Sequence, residues 1–427
     1  MLASGGFRAT RHGCMKKTTR NQKPTRSKFS LLRQLCNLIP NHLVPKLARE
    51  AGVDQQARTY LPWSHVVTLL FAQLTHSLGL NDVCDALGLH SSGLSAIRGA
   101  TPPSRNNLSH ANRERDPVMA ERLFWHMLEH LQSLSPGFGG GRRPRFAFRF
   151  KRMIHLVDST TIQLVANCMD WAKHRRRKAA AKCHLRLNLQ SFLPRFALVD
   201  TARHSDARKA WEVCAGLRAG EIVIFDKAYL DLLHLFDLFQ RGVHWVTRAK
   251  EGMQFRVVRR YQSGRQGHLL RDDVVQMKSS ASRRRYPPWL RRVVAMVEVD
   301  GRWREMTFLS DNLEWSAQTI VDLYRCRWGI EVFFKEIKQT LQLADFLGHN
   351  ANAVRWQVWT ALLTYLLLRF CVWISRWGHS FTRLFTLVRS ALWLKLDLRA
   401  FLESYGTAPT PCRFLGTPDQ AFLPGFR

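Results

Sequence analysis

The chain has 427 residues, 46% of them hydrophobic and 11% aromatic, including 14 Trp. That is enough to bury a large core, and it excludes a solvated low-complexity chain. Sixty-five Lys and Arg against 32 Asp and Glu give a formal net charge of +33, which repels itself in a compact fold unless a polyanion neutralises it, and nucleic acid is the partner this implies. The nine cysteines are scattered and form no Cys-x-x-Cys pair, which argues against a disulfide framework and a structural zinc site and for a reducing, cytoplasmic compartment.

Taken in chain order, residues 1–28 read as a basic flexible arm, since no acidic residue precedes Glu50. Residues 29–134 read as a separate helical domain, because FSLLRQLCNLIPNHLV, WSHVVTLLFAQLTHSLGLNDVCDAL and MAERLFWHMLEHLQSL repeat apolar positions at three and four. Between those helices, ATPPSRNNLSHANRERD (100–116) reads either as a solvated loop or as a polar segment whose Ser104, Arg105, Asn107 and Arg113 reach phosphates. SPGFGGGRRPR (135–145) is a glycine and proline linker and marks a boundary.

A different periodicity follows. FKRMIHLVDSTTIQL (150–164), HLRLNLQ (184–190) and RFALVD (195–200) predict strands, the middle one alternating polar and apolar residues. A helix over about 203–218, the buried strand EIVIFD (221–226), a helix over about 228–240 and the strand VHWVTRAK (243–250) continue the series. Strands followed by alternating helix and strand describe an α/β domain with a mixed sheet. Residues 251–312 read as a β-rich insertion, with a hairpin turn at Asp300-Gly301. Residues 146–250 and 313–380 form the α/β domain around it, and 381–427 are left as a C-terminal tail region. VWTALLTYLLLRFCVWIS (358–375) approaches membrane-span length, but Arg369 interrupts it, so it reads as a buried core helix and no membrane partner is expected.

The helix expected from an N-cap at Ser316 carries the chemistry. At 100° per residue, Tyr324, Arg327, Glu331 and Lys338 fall within about 60° of one another, beside an apolar stripe that can pack on the sheet. An Arg327–Glu331 helical pair alone is worth roughly 0.2–0.5 kcal/mol and does not explain Tyr324 or Lys338. Asp158 and Asp226 stand at strand ends, where an α/β sheet exposes its carboxyl edge. Three such carboxylates suit hard divalent cations, two of which, about 3.5–4 Å apart, can hold the attacking and leaving oxygens of an in-line phosphoryl displacement.

This arrangement resembles the DDE transposases of bacterial insertion sequences, in particular the group with a Tyr, Arg, Glu, Lys signature around the third carboxylate and a β-rich insertion before it. The signature is Tyr, two residues, Arg, three residues, Glu, six residues, Lys, and here it is Tyr324, Arg327, Glu331 and Lys338. HLVDSTTIQL corresponds to the first aspartate motif and IVIFDKAYLD to the second, giving Asp158 and Asp226. KCHLRLNLQ resembles the family's second strand, the likeness covers about residues 150–375, and the helical part before it, residues 29–134, resembles the N-terminal DNA-binding region common in these proteins. One departure is Asp226-Lys227-Ala228-Tyr229, where the family commonly has Asp-Arg-Gly-Tyr; the charge survives, and the missing glycine bears on the tightness of the turn.

The resemblance implies an RNase H-like catalytic domain in which Asp158, Asp226 and Glu331 bind two Mg²⁺ ions, with Mn²⁺ as a substitute. It implies strand cleavage at the element's ends, attack by the freed 3′-hydroxyl, a DNA hairpin step, and a homodimer on double-stranded DNA, in a bacterial cytoplasm and nucleoid-associated. Tyr324, Arg327 and Lys338, with Lys227, would hold phosphates and a displaced base. The runs KHRRRK (173–178), with Arg175 and Arg176, and RRR (283–285) are expected on backbone phosphates, and Trp245 or Trp289 as a stacking wedge or as plain core. No Gly-rich nucleotide loop is present, which argues against ATP dependence. Two other readings share the carboxylates: another RNase H-like nuclease, and a catalytically inactive transposase-derived DNA-binding protein.

Overall fold

Ile154–Leu164 (β1) carries apolar residues on both sides, Leu156 facing one way and Val157 the other, both fully buried, so helices must cover both faces of its sheet. The structure, a computed structural model, describes residues 24–55, 57–139, 150, 152–164, 173–175, 178–201, 205–262, 267–299, 301–340 and 347–406. Most of the basic arm and of the 135–145 linker, Arg176, and residues 407–427 lie outside these.

Lys173–Arg175 (β2) and Lys178–Asn188 (β3) form a short antiparallel pair, and β3 runs antiparallel to β1 with Pro194–Thr201 (β4) also against it. On the other side of β1 lie the parallel strands Ile222–Phe225 (β5) and His244–Arg248 (β6). This is the mixed sheet expected of an RNase H-like domain.

The segment read as an insertion does not fold apart from that sheet. Phe255–Gln262 (β7), Leu269–Met277 (β8), Leu290–Val299 (β9) and Arg302–Ser310 (β10) extend it from β6 in the order β10, β9, β8, β7. Among the described residues this makes one ten-stranded sheet. Val299 pairs with Arg302, so the β9–β10 turn has two residues as the sequence predicts, and Gly301 takes the left-handed φ of 72° that such a turn needs.

Asp206–Cys214 (α8), Leu232–Gln240 (α9) and Ser280–Arg285 (α10) lie on the Val157 face. Ala317–Arg325 (α11), Trp328–Lys335 (α12) and Ala351–Ile374 (α13) lie on the Leu156 face. Helix α13 is long and apolar enough by composition to cross a membrane, yet most of it is buried by protein, as the reading of a core helix required.

What buries α13 is the N-terminal part of the chain. Leu31–Asn37 (α1), Leu43–Glu50 (α2), Pro62–Thr75 (α3), Leu80–Leu89 (α4), Ser91–Ser95 (α5), Arg105–Glu114 (α6) and Val118–Leu134 (α7) share one apolar cluster with it, and α3, α6 and α7 pack directly on it. The Trp356 indole N–H donates to the Arg115 carbonyl at 2.9 Å across this junction.

Two expectations change here. Residues 105–114, within the segment read as a possible loop, form a helix: Ser104 caps α6 by accepting from the Asn107 N–H at 3.2 Å, and Leu108, Ala111 and Asn112 form a buried stripe on it. Nor are residues 381–406 a tail. Phe381, Leu384, Phe385 and Val388 recur at helical spacing, so Phe381–Ser390 (α14) and Leu398–Gly406 (α15) pack into the core. The Leu31 and Leu32 N–H groups donate to Leu394 and Leu392, tying the two ends of the described chain together.

Candidate active site

Asp158 and Asp226 are brought together by strand register. Val157 lies opposite Phe225 in the parallel β1–β5 pair, so the next residue along each strand is an aspartate. Strand β1 does not end there: beyond Asp158 it continues against β3 to Leu164, so Asp158 ends only its pairing with β5. After Asp226 the chain makes a 3₁₀ turn, Lys227–Tyr229, and Ala228 keeps a negative φ, so no glycine is required.

The third carboxylate comes from a helix that breaks where a single helix was expected. Ser316 caps α11 as read, accepting from the Thr319 N–H at 3.2 Å, but α11 ends at Arg325 and the chain turns through Cys326 and Arg327 into α12. A π-helical turn, Glu336–Thr340, follows. At Gly329, α12 comes so close to the sheet that an added Cβ would stand 3.1 Å from the Phe192 ring and 3.4 Å from Leu156.

Tyr324 and Arg327 face inward, whereas Glu331 stays half exposed. Tyr324 is only 5% exposed; its ring packs on Phe308 and its hydroxyl donates to Asp226 Oδ1 at 3.1 Å. Arg327 donates from Nη1 to Asp158 Oδ2 at 2.9 Å and from Nη2 to Glu331 Oε1 at 2.6 Å. Lys338 reaches along β1, its Nζ 2.7 Å from the Thr161 carbonyl. Asp158, Asp226, Glu331, Tyr324 and Arg327 thus belong to one constellation, closed by the Arg327 guanidinium lying 5.6 Å from the Tyr324 ring, while Lys338 is held apart from it on the β1 backbone.

The remaining readings fare differently. Lys227 lies 3.3 Å from Glu251 at the surface, the side chain of Arg175 and all of Arg176 lie outside the described residues, and Arg285 of the 283–285 run pairs with Asp231 at 2.9 Å. Trp245 is fully buried in β6 against Tyr286 and is core, whereas Trp289 is 51% exposed.

Electrostatics mark the site as one that strains against its own charge. Burial pushes the Asp158 carboxyl up to about 6; Arg327 and the Ser159 N–H oppose the rise, and Asp226 and Glu331 add to it. Burial likewise raises the Tyr324 hydroxyl to about 12, so it stays a donor. For Arg327 burial disfavours the charge, but Tyr324, Asp158, Glu331 and Asp226 outweigh it and hold the guanidinium charged. Asp226 and Glu331 thus raise the proton affinity of Asp158, and oxygen-only carboxylate donors gathered in this way suit a hard divalent cation. Among the described residues no three His, Cys, Asp or Glu side chains are close enough to hold an ion, and the guanidinium of Arg327 supplies the positive charge between Asp158 and Glu331.

Sequence reasoning missed a second cluster on the opposite face of the sheet. Asp206, at the start of α8, accepts from Ser159 Oγ at 2.8 Å and from Lys182 Nζ at 3.0 Å, and His184 Nδ1 is hydrogen-bonded to the Tyr229 hydroxyl at 2.8 Å. The available signal was the alternation of β3, which sets Lys182, His184, Arg186 and Asn188 on one face. An alternating strand usually turns that face to water, but here α8 covers it, and Arg186 donates to the Val213 carbonyl at 3.0 Å.

Among known proteins, the transposase DDE domain profile matches residues 149–367. The chain belongs to the DDE transposase family. A putative transposase, y4zB, of Sinorhizobium fredii is 32% identical over 273 residues, spanning 63% of this chain and 75% of that protein. A probable transposase for insertion sequence element IS5377 of Geobacillus stearothermophilus is 27% identical over 53% of this chain and 59% of its own length. The transposase InsG for insertion sequence element IS4 of Escherichia coli is 26% identical over 43% of this chain and 42% of its own. Residues 27–97 of this transposase also match a domain of unknown function, DUF4372. The solved piggyBac transposase synaptic complex with hairpin DNA aligns over 95% of this chain and 90% of that one, at 10% identity and a TM-score of 0.44. DNA transposition is therefore the process this transposase serves, and its DDE domain implies the use of divalent metal.

Proposed function

We propose that this transposase moves an insertion sequence by cut-and-paste, with Mg²⁺-dependent strand cleavage at the element's ends followed by strand transfer. The observation that carries this reading is the register that sets Asp158 beside Asp226, with Glu331 joined to Asp158 through Arg327. Asp158, Asp226 and Glu331 would hold two Mg²⁺ ions, or Mn²⁺ in their place, and the ions supply charge neutralisation for an in-line phosphoryl displacement.

The chain's own groups do the rest. Tyr324 orients Asp226 through its hydroxyl. Arg327, on the carboxylates in the free protein, has a planar fork that also fits a phosphate, so it can pass from Asp158 to the scissile phosphodiester as DNA enters. Lys338, with Lys227, Arg175 and Arg176, adds phosphate contacts that set register without reading bases. The net charge of +33 suits a duplex long enough to touch several of these groups.

In this reading residues 29–134, with the arm 1–28, bind the element's ends, residues 146–250 and 313–380 cut them, and the 251–312 strands lie against the cut. Two ends must be held together, so the active assembly is a homodimer on DNA, working in a bacterial cytoplasm at the nucleoid. The test is cleavage of end-bearing duplex DNA by purified protein with Mg²⁺. Cleavage by the wild-type chain that Asp158→Ala and Glu331→Gln both abolish supports the reading. End binding without cleavage would instead identify an inactive DNA-binding descendant, and cleavage of branched DNA without regard to end sequence an RNase H-like nuclease.

A further inference from the structure

The cluster behind the sheet ends, on both sides, at the backbone that carries the aspartates. In the β1–β3 register Ser159 pairs with His184 and Thr161 with Lys182, so Ser159, His184 and Lys182 project from the face opposite Asp158. Asp206 gathers them. Its carboxylate accepts from Ser159 Oγ at 2.8 Å, holds Lys182 Nζ at 2.9 Å and 3.0 Å from its two oxygens, and lies 3.5 Å from His184 Nδ1, with only 14% of its side chain exposed.

From Ser159 the constraint passes through one residue: its N–H donates to Asp158 Oδ1 at 2.8 Å. From His184 it passes through Tyr229, 1% exposed, whose hydroxyl bonds Nδ1 at 2.8 Å and whose own N–H donates to the Asp226 carbonyl at 3.0 Å. Thus one buried carboxylate is tied to the peptide that holds Asp158 and, by way of His184, to the 3₁₀ turn that follows Asp226.

We infer that Asp206, acting through Ser159 on one side and His184 and Tyr229 on the other, is a positioning residue that sets the separation and orientation of Asp158 and Asp226 for divalent metal. This rests on the reading of Asp158 and Asp226 as metal-binding carboxylates. An Asp beside a Lys at the start of a helix is commonly a plain structural ion pair; what sets this one apart is that its hydrogen bond to Ser159 and its 3.5 Å approach to His184, itself hydrogen-bonded to Tyr229, lead to the backbone at Asp158 and at Asp226. Groups that orient metal-binding carboxylates typically change metal affinity about 10- to 100-fold when removed.

The test uses three variants of the full chain, with Asp158→Ala as the control. Asp206→Asn weakens the whole cluster, while Ser159→Ala and Tyr229→Phe cut one arm each and leave the Lys182–Asp206 pair in place, so they separate positioning from folding. Four quantities are read: the thermal midpoint without metal, the Kd for end-bearing DNA in EDTA, Mn²⁺ affinity by titration calorimetry, and the Mg²⁺ concentration that half-saturates cleavage. The expected result is that Ser159→Ala and Tyr229→Phe keep their DNA Kd within about twofold, yet bind Mn²⁺ about 10-fold more weakly and need correspondingly more Mg²⁺. Mn²⁺ affinity at the wild-type value in both variants, with Asp158→Ala having lost Mn²⁺ binding, would overturn the inference and leave the active-site reading intact. Mn²⁺ affinity and cleavage retained in Asp158→Ala would overturn the active-site reading itself.

Discussion

Arg327 makes two ion pairs of very different worth, and removing its partners one at a time measures the difference. Arg327 is 11% exposed and Asp158 18%, so their contact at 2.9 Å is a shielded pair, and stripping one partner from such a pair costs about 3–5 kcal/mol. The cost has a ceiling, because Asp158 can take up a proton. Its carboxyl titrates at about 6, so neutralising it at pH 8 costs 2 pH units, or about 2.7 kcal/mol, and Arg327→Ala should destabilise the metal-free protein by no more than about 3 kcal/mol. Glu331 is half exposed, and its 2.6 Å contact with Arg327, screened by solvent, should be worth only about 0.3–0.5 kcal/mol. Urea unfolding at pH 8 in EDTA, in double-mutant cycles of Arg327→Ala with Asp158→Asn and with Glu331→Gln, reads both couplings. An Arg327–Glu331 coupling as large as the Arg327–Asp158 coupling would refute the claim that Arg327 is held chiefly by its shielded contact with Asp158.

Burial, opposed by Arg369, raises the Glu336 carboxyl to about 7. A carboxyl raised on folding lends stability below its unfolded value near 4.5 and loses it as pH climbs towards 7, a span of roughly 3 kcal/mol by linkage. Some solvent reaches the side chain, so Glu336→Gln should gain about 1–2 kcal/mol over wild type at pH 8 and nothing at pH 4.5 in denaturant unfolding; equal gains at both pH values would contradict this. Trp245→Ala should cost about 3–5 kcal/mol, because the ring is fully buried, while Trp289→Ala, half exposed, should stay within about 0.5 kcal/mol. A stability loss shared equally by the two tryptophans would show that their assignment to core and surface is wrong.

Much of this was legible in the sequence where one local rule sufficed. The all-buried run Ile222–Phe225 and the turn between Val299 and Arg302 fell where apolar runs and turn chemistry placed them. The two aspartates were legible because parallel neighbours in an α/β sheet offer their carboxyl ends together. What escaped depended on distant packing. A helical wheel assumes unbroken rotation, so the turn at Cys326 and Arg327 was invisible, and the bond from Tyr324 to Asp226 depends on a strand nearly a hundred residues away in sequence. No local pattern shows that α13 is buried by the N-terminal helices, or that α8 covers the polar face of β3 and so creates the Asp206 cluster. Residues 381–406 escaped because their apolar stripe has meaning only against a core built by residues 31–134.

The central claim is that Asp158, Asp226 and Glu331 act together on DNA through divalent metal. Mn²⁺ titration of the full chain bound to end-bearing duplex, in wild type and in Asp158→Ala, Asp226→Ala and Glu331→Gln, tests it most directly. Saturable Mn²⁺ binding in the wild type that every one of the three substitutions weakens by at least about 10-fold is the predicted result. Wild-type Mn²⁺ affinity in any one of the three would contradict the account.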